Sequence, residues 1–293
     1  MQWLCHKLIY RVNFRFTVML VLLSNALLSQ SQSVFHAGNY NDYTVADCFK
    51  NSTYKGVFKA DTVKSNYVLK GQKIWRTINL ENKENSKLFN NTSKCSNVGL
   101  FEIMKYGIFQ KKLNAFSTDN FNEVAGNRLT ERQLLASLLL NDSSITTVFD
   151  ANGNETKESS KVNRYLLGSD IKNYLIKENW IINSYTGKLE KVMIGIAPLF
   201  INKNTGKTMP LFWLYYPEWK ELLASFEATN YYSDENISFN DVLNKKLFIS
   251  IISKENNEFN RNIKSTHRGN DFYIESELIK EKIINYEEDL FQH

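Results

Sequence analysis

The side chains with catalytic or metal-binding potential follow no complete motif. Gly206-Lys207-Thr208 resembles the end of a phosphate-binding loop, but that motif requires a glycine at the position of Ile201. We interpret the tripeptide as part of a turn. His36, His267 and His293 have no second histidine or carboxylate at the spacing of a helical metal site. The sequence therefore predicts neither a metal site nor a cofactor.

The acidic cluster near the end is the strongest hydrolytic candidate. Glu287, Glu288 and Asp289 are consecutive, and a pair of carboxylates is what glycoside hydrolysis requires. On an amphipathic helix the same residues form a solvated face. The chain has no Gly-x-Ser-x-Gly motif for a serine nucleophile, and no histidine lies close in sequence to Cys48 or Cys95. We expect that the protein is not an enzyme.

An aromatic run offers a third kind of chemistry. Residues 211–216 read Leu-Phe-Trp-Leu-Tyr-Tyr, and Trp219 follows. Exposed rings of this kind would stack on a sugar. Alternate residues of a strand point to opposite faces, however, so the run cannot present all its rings on one surface. Packing in the core is the favoured interpretation.

The first residues have the composition of an export signal. An uncharged apolar run, residues 16–28, follows the basic residues Lys7, Arg11 and Arg15. This run is shorter than the ~20 apolar residues that span a membrane, and the small, polar residues 29–33 after it suit cleavage. We predict a signal peptide over residues 1–33, with an uncleaved anchor as the alternative.

The remaining chain is close to neutral. The leader holds three of the 36 basic residues and no acidic residue, which leaves 33 basic against 31 acidic side chains. Without a clustered basic module, we expect no binding of nucleic acid. Cys5 precedes the apolar run, so it is not the lipid-bearing cysteine of a lipoprotein. Cys48 and Cys95 can form a disulfide after export, and the sequence leaves their pairing open.

The first half of the exported chain is predicted to combine an arm with helices. Residues 34–70 are polar with isolated aromatics and no period, which indicates an extended arm, either disordered or ordered on a neighbour. Partial 3.6-residue stripes predict helices over 72–85 and 98–111. Thr130 and Gln133 form a capping box that begins a third helix. The polar residues 141–161 predict a loop and a soft domain boundary.

The second half is predicted to contain a sheet and further helices. The runs 174–182, 191–201 and 209–216 predict three strands, joined by turns with Gly187 and Gly206 as an antiparallel meander. Both faces should be covered, one by helices and one by another chain or lobe. Helices are predicted to begin at Pro217 and Ser238, and a long helix over 272–291.

These expectations define an α+β fold: a three-strand meander packed with several helices, an extended arm and a long C-terminal helix. The expected organisation is a signal peptide over 1–33, a partner-dependent arm over 34–70 and one domain over 71–293, with the soft boundary at 141–161.

An ordered series of blocks resembles the GldN/PorN family of the type IX secretion system. Residues 74–80, Ile-Trp-Arg-Thr-Ile-Asn-Leu, come first, followed by blocks at 176–180, 194–198, 210–218, 253–256 and 275–290. The resemblance covers residues 68–291. Asn79, Glu288 and Phe291 depart from the aspartate, histidine and tryptophan common in the family. The motif positions are Trp75, Arg76, Trp180, Gly195, Pro198, Pro210, Trp213, Pro217, Glu277 and Asp289.

The resemblance implies a periplasmic structural subunit. It implies a ring beneath the outer membrane, self-association within that ring, a GldK/PorK-type lipoprotein as partner and contact with the motor through a GldM/PorM-type protein. Type IX secretion and gliding motility would depend on it. The alternative, suggested by the aromatic run, is a free periplasmic sugar- or peptide-binding protein.

Overall fold

A computed structural model describes residues 67–88, 98–118, 121, 127–149, 155–202, 206–228, 237–258 and 261–291. The predicted signal peptide, residues 34–66 of the predicted arm, and both Cys48 and Cys95 lie outside this range. In the described residues, no helix is both long and apolar enough to cross a membrane.

Antiparallel strands form the centre of the fold. The strands are β1 (Val68–Asn79), β2 (Leu139–Phe149), β3 (Glu155–Tyr165), β4 (Asn173–Asn183), β5 (Lys188–Ile201), β6 (Thr208–Pro210), β7 (Leu214–Tyr215), β8 (Glu227–Ala228), β9 (Ile237–Ser238) and β10 (Ile251–Glu255). The main sheet has the order β10-β1-β4-β5-β6, and β7 pairs with another part of β5. The sheet is therefore larger than the predicted meander, because β1 and β10 extend it.

Helices complete the α+β fold that the sequence predicted. They are α1 (Leu100–Phe109), α2 (Glu131–Leu138), α3 (Tyr216–Ala224), α4 (Phe239–Asn244) and α5 (Asn270–Phe291). The predicted starts of these five helices are confirmed within a few residues. Thr130 and Ser238 both form capping boxes, and Pro217 lies in the first turn of α3.

The predicted helix over 72–85 is wrong, because residues 68–79 form β1. Ile74 and Ile78 are four residues apart, and this spacing places two side chains on one face in a helix and in a strand alike. Pairing decides between them: β1 pairs with β4 along almost its whole length and with β10 on its other side. Strand β1 also includes residues 68–70, which the sequence assigned to the arm.

The predicted loop over 141–161 is also wrong. Strands β2 and β3 form a two-stranded hairpin, in register from Leu139 opposite Tyr165 to Phe149 opposite Glu155. The sequence gives little sign of this, since most residues of the hairpin are polar and there is no apolar alternation to identify a buried face. Whether a domain boundary lies here stays a prediction.

The other strand predictions hold for β4 and β5 but fail in part for the aromatic run. Residues 209–216 do not form one strand: β6 ends at Pro210, and β7 begins at Leu214. Gly187 and Gly206 have φ of 65° and 66°, in the left-handed region that the predicted turns require.

The two faces of the main sheet carry different cores. The helix face carries Ile78, Tyr174 and Ile196, which belong to a large core with α1, α3 and α4; further along the same face, Ile74 and Trp180 pack with α5. The aromatic face carries Leu175 and Ala197, covered by Phe116, Phe121 and Trp213. Residues of this chain therefore cover the part of the sheet where the sequence predicted another chain or lobe.

Candidate functional site

A group of charged side chains lies on the helix face, between the large core and the core under α5. We call it the Glu178 cluster; its members are Arg76, Glu178, Trp180, Lys191 and Lys246. Directly opposed residues of antiparallel strands share a face, and Glu178 lies opposite Ile74, while Trp180 lies opposite Lys191. Arg76 follows Ile74 by two residues and so points to the same face.

Glu178 is the centre of the cluster, and its side chain has no exposed surface. Its Oε2 accepts a hydrogen bond from Trp180 Nε1 at 2.8 Å and lies 3.5 Å from an Arg76 guanidinium nitrogen. Its Oε1 lies 3.6 Å from Lys246 Nζ, in an ion pair without a hydrogen bond. A carboxylate is stable at this depth only because cations and a donor surround it.

Lys246 reaches the cluster from a strained backbone position. It follows α4 with φ of 55°, where glycine is usual, and the next residue's N–H donates back to Val242 O as in a Schellman cap. For a residue with a Cβ this conformation costs about 1–2 kcal/mol. The side chain crosses to the sheet, where Nζ donates to Lys191 O at 2.6 Å.

Lys191 carries the least compensated charge of the group. Burial lowers the pKa of its amine, and the positive charges of Arg76 and Lys246 lower it further, against a smaller opposing effect of Glu178. Its Nζ lies 4.2 Å from the Trp180 ring centroid, a cation–π contact. The cluster thus places three cations against one carboxylate.

The described residues contain no catalytic arrangement around this cluster. Its single carboxylate lacks the second carboxylate that glycoside hydrolysis requires. No group of three metal-binding side chains occurs within the described range. At the end of α5, Glu287 accepts a hydrogen bond from Leu189 N at 2.7 Å, while Glu288 and Asp289 are exposed. The expectation that Glu287 is solvated is therefore wrong: its carboxylate binds an outward-pointing N–H of β5.

A shallow cavity lies between β10 and α5. Its volume is about 180 Å³, and its lining includes Glu255, Arg261, His267 and Glu275. His267 Nε2 lies 3.9 Å from Glu275 Oε2. Pockets for drug-sized ligands measure about 300–1,000 Å³. The cavity is therefore too small to favour the sugar-binding alternative, and Trp213 and Phe212 of the aromatic run are buried in the cores rather than exposed beside it.

The outward side of α5 exposes apolar side chains. Tyr273, Ile274 and Leu278 are each more than half exposed, and acidic Glu277 and Glu281 lie among them. The opposite side of α5 buries Phe272, Ile279 and Ile283. The helix is thus apolar on a second side that the described residues leave uncovered.

The model of the gliding motility associated protein GldN family matches residues 63–292. The chain belongs to the GldN family. No curated protein matches it. GldN proteins are structural components of the gliding motility and type IX secretion machinery and are not a known enzyme family.

Two groups of the GldN motif positions come together in this member. Arg76 and Trp180 belong to the Glu178 cluster, and Trp75, Gly195 and Trp213 lie on the aromatic face. There Phe121 stacks on Trp213, with ring centroids 4.9 Å apart. A Cβ on Gly195 would lie 2.7 Å from Phe121 Cε1 and 2.9 Å from Leu214 O, so this position requires glycine.

The remaining motif positions are dispersed. Pro198 lies opposite Tyr174 in the sheet, Pro210 lies opposite Leu199, and Pro217 begins α3. Glu277 and Asp289 are exposed on α5. Sequence reasoning did not single out Glu178, Lys191 or Lys246. The sequence signal that could have located the cluster is Glu178 itself, a charged residue in the middle of β4, whose residues are mostly buried.

Proposed function

We propose that this protein is a non-enzymatic structural subunit of a periplasmic ring that binds a GldK/PorK-type lipoprotein at the outer membrane. In this role it self-associates in the ring and contacts the motor through a GldM/PorM-type protein. Secretion by the type IX system and gliding motility require it. The observation that carries the proposal is the GldN family match over residues 63–292.

The surface of α5 supports a role in assembly. Contiguous exposed apolar side chains rimmed by charge are typical of protein–protein interaction sites. Ile274 and Leu278 are 58% and 51% exposed and one helical turn apart, so they form one continuous patch. We expect this patch to bind the lipoprotein.

The first experiment is affinity purification of the tagged protein from gently solubilised cell envelopes, followed by mass spectrometry. A ring subunit should bring a lipoprotein with it in near-stoichiometric yield. Recovery of the protein alone, as a stable monomer, would contradict the ring role and would direct tests to sugar and peptide ligands.

A double variant tests the α5 patch. Ile274→Glu with Leu278→Glu should reduce lipoprotein recovery strongly while the melting temperature stays within a few degrees, because neither side chain is buried. Met209→Glu is the matched control, since Met209 is 47% exposed on β6. Equal recovery from the double variant and from Met209→Glu would exclude α5 as the lipoprotein surface.

A further inference from the structure

Two cations of the Glu178 cluster have unused donors. Arg76 has five N–H donors, and its one hydrogen bond in the described chain is the 3.5 Å contact with Glu178 Oε2. The ammonium of Lys191 has three donors; it contacts the Trp180 ring, and no acceptor oxygen of the described residues binds it. Water can reach both groups only partly, because the Arg76 side chain is 17% exposed and Lys191 is half-buried.

The charge around these donors is unbalanced. Arg76 on β1, Lys191 on β5 and Lys246 after α4 face one carboxylate, Glu178 on β4. The α5 side chain that acts on Lys191 is also positive: it is Lys280, whose ammonium pairs with Glu277 at 2.9 Å. A partly desolvated site with surplus positive charge is stabilised by an added anion. Burial, followed by the charges of Arg76 and Lys246, lowers the pKa of Lys191.

We propose that Arg76 and Lys191 bind a carboxylate presented by an acidic segment of a partner protein. The planar guanidinium donates two parallel hydrogen bonds to a carboxylate, and the neighbouring ammonium adds a third. Glu178 and Lys246 do not contact the ligand; they position Arg76 and the β5 backbone. Arg76 and Lys191 would bind an acidic partner segment in this way whether or not the protein is a ring subunit.

The surroundings favour a protein segment over a free anion. The stretch that carries Lys246 also exposes Leu247 and Ile249, which are 38% and 49% exposed. Phe248, between them, is buried, and its ring centroid lies 5.9 Å from Cζ of the Arg76 guanidinium. A partner with apolar side chains next to an aspartate or glutamate would contact both the cations and the exposed apolar side chains. Inorganic phosphate would contact the cations alone.

The test uses the full exported chain and a fluorescein-labelled peptide of alternating glutamate and leucine, with binding followed by fluorescence anisotropy at low salt. Lys191→Gln should weaken binding by about tenfold or more, the loss of a charge-assisted hydrogen bond. Lys188→Gln is the matched control: it removes the same charge from the same strand, at an exposed position. This control should retain wild-type affinity.

Arg76→Gln should weaken binding at least as much, but it also removes a partner of buried Glu178. If Arg76→Gln does not fold, Lys191→Gln decides alone, because it leaves the contacts of Glu178 with Arg76 and Lys246 in place. Equal weakening by Lys188→Gln and Lys191→Gln would overturn the proposal, since binding would then follow net charge. Inorganic phosphate that displaces the peptide at the peptide's own concentration would overturn the assignment to a protein carboxylate.

Discussion

Cationic side chains lie on both faces of the main sheet, and the two faces surround them differently. On the aromatic face, Lys177 donates a 3.0 Å hydrogen bond to Phe121 O and lies 5.0 Å from the Phe121 ring centroid. On the helix face, the next residue is Glu178, with three cations converging on it. Lys177 is thus bound by a backbone carbonyl and lies beside the rings of Trp75 and Phe121, and Lys254 lies over the Trp75 ring on the same face. The three cations of the helix face lie around a buried carboxylate.

The difference indicates what each face does. On the aromatic face, Phe121, Trp213 and Gly195 pack closely against one another. The helix face keeps unused donors on Arg76 and Lys191 at a partly exposed position. We therefore expect substitutions on the aromatic face to affect stability, and substitutions of the partly exposed cations of the Glu178 cluster to affect binding.

Trp213→Ala should cost about 3–5 kcal/mol of unfolding free energy, because it removes a fully buried ring and its stacking on Phe121. Trp75→Ala, on the same face but half-buried, should cost about 2 kcal/mol. Urea denaturation of both variants gives the comparison. Similar losses at the two positions would show that the aromatic face is not closely packed at Trp213.

Glu178→Gln should cost about 3 kcal/mol, because it leaves Arg76 and Lys246 facing one another without the buried carboxylate. Its control is Glu277→Gln, which breaks an exposed pair with Lys280 and should change stability by less than about 1 kcal/mol. Denaturation at pH 7 measures both. If Glu178→Gln is as stable as the control, the cluster does not depend on its carboxylate.

Gly195→Ala should cost about 1–3 kcal/mol, since the added methyl group overlaps the Phe121 ring and the Leu214 carbonyl. Gly71→Ala provides the contrast, because its Cβ would meet Asn179 Oδ1 at an ordinary 3.5 Å. We expect that variant to be neutral within about 0.5 kcal/mol. Thermal denaturation distinguishes them, and a neutral Gly195→Ala would mean that Phe121 can move.

The smallest effect is a pH dependence from Lys191. Its folded-state pKa lies below the ordinary value of 10.5, so the native state is penalised while the amine is charged. As pH rises from the folded pKa towards 10.5, the unfolded chain binds the proton more strongly, and stability should increase. Lys191→Gln should lose this increase. Stability curves of the two proteins over alkaline pH that run parallel would contradict it.

The sequence predicted an element correctly wherever residues close in sequence form its hydrogen bonds or set its backbone conformation. The reciprocal hydrogen bonds of Thr130 with Gln133, and of Ser238 with Asp241, join residues three apart, so the sequence located both helix starts. Gly187 and Gly206 marked turns for the same reason, because each residue's own backbone requires a positive φ. The ordered motif blocks identified the family, which the match over residues 63–292 confirms.

The helix caps, the glycine turns, the strands β4 and β5 and the family could thus be predicted from the sequence. That residues 68–79 form a strand depends on tertiary pairing, since Ile74 and Ile78 fit both periods and pairing with β4 and β10 selects the strand. The tertiary structure also assembles the Glu178 cluster, whose contacts join Arg76 to a residue 102 positions away and Lys246 to one 55 positions away. A charge is buried only where distant strands place partners beside it. Because those partners are far apart in sequence, no local sequence pattern predicts them.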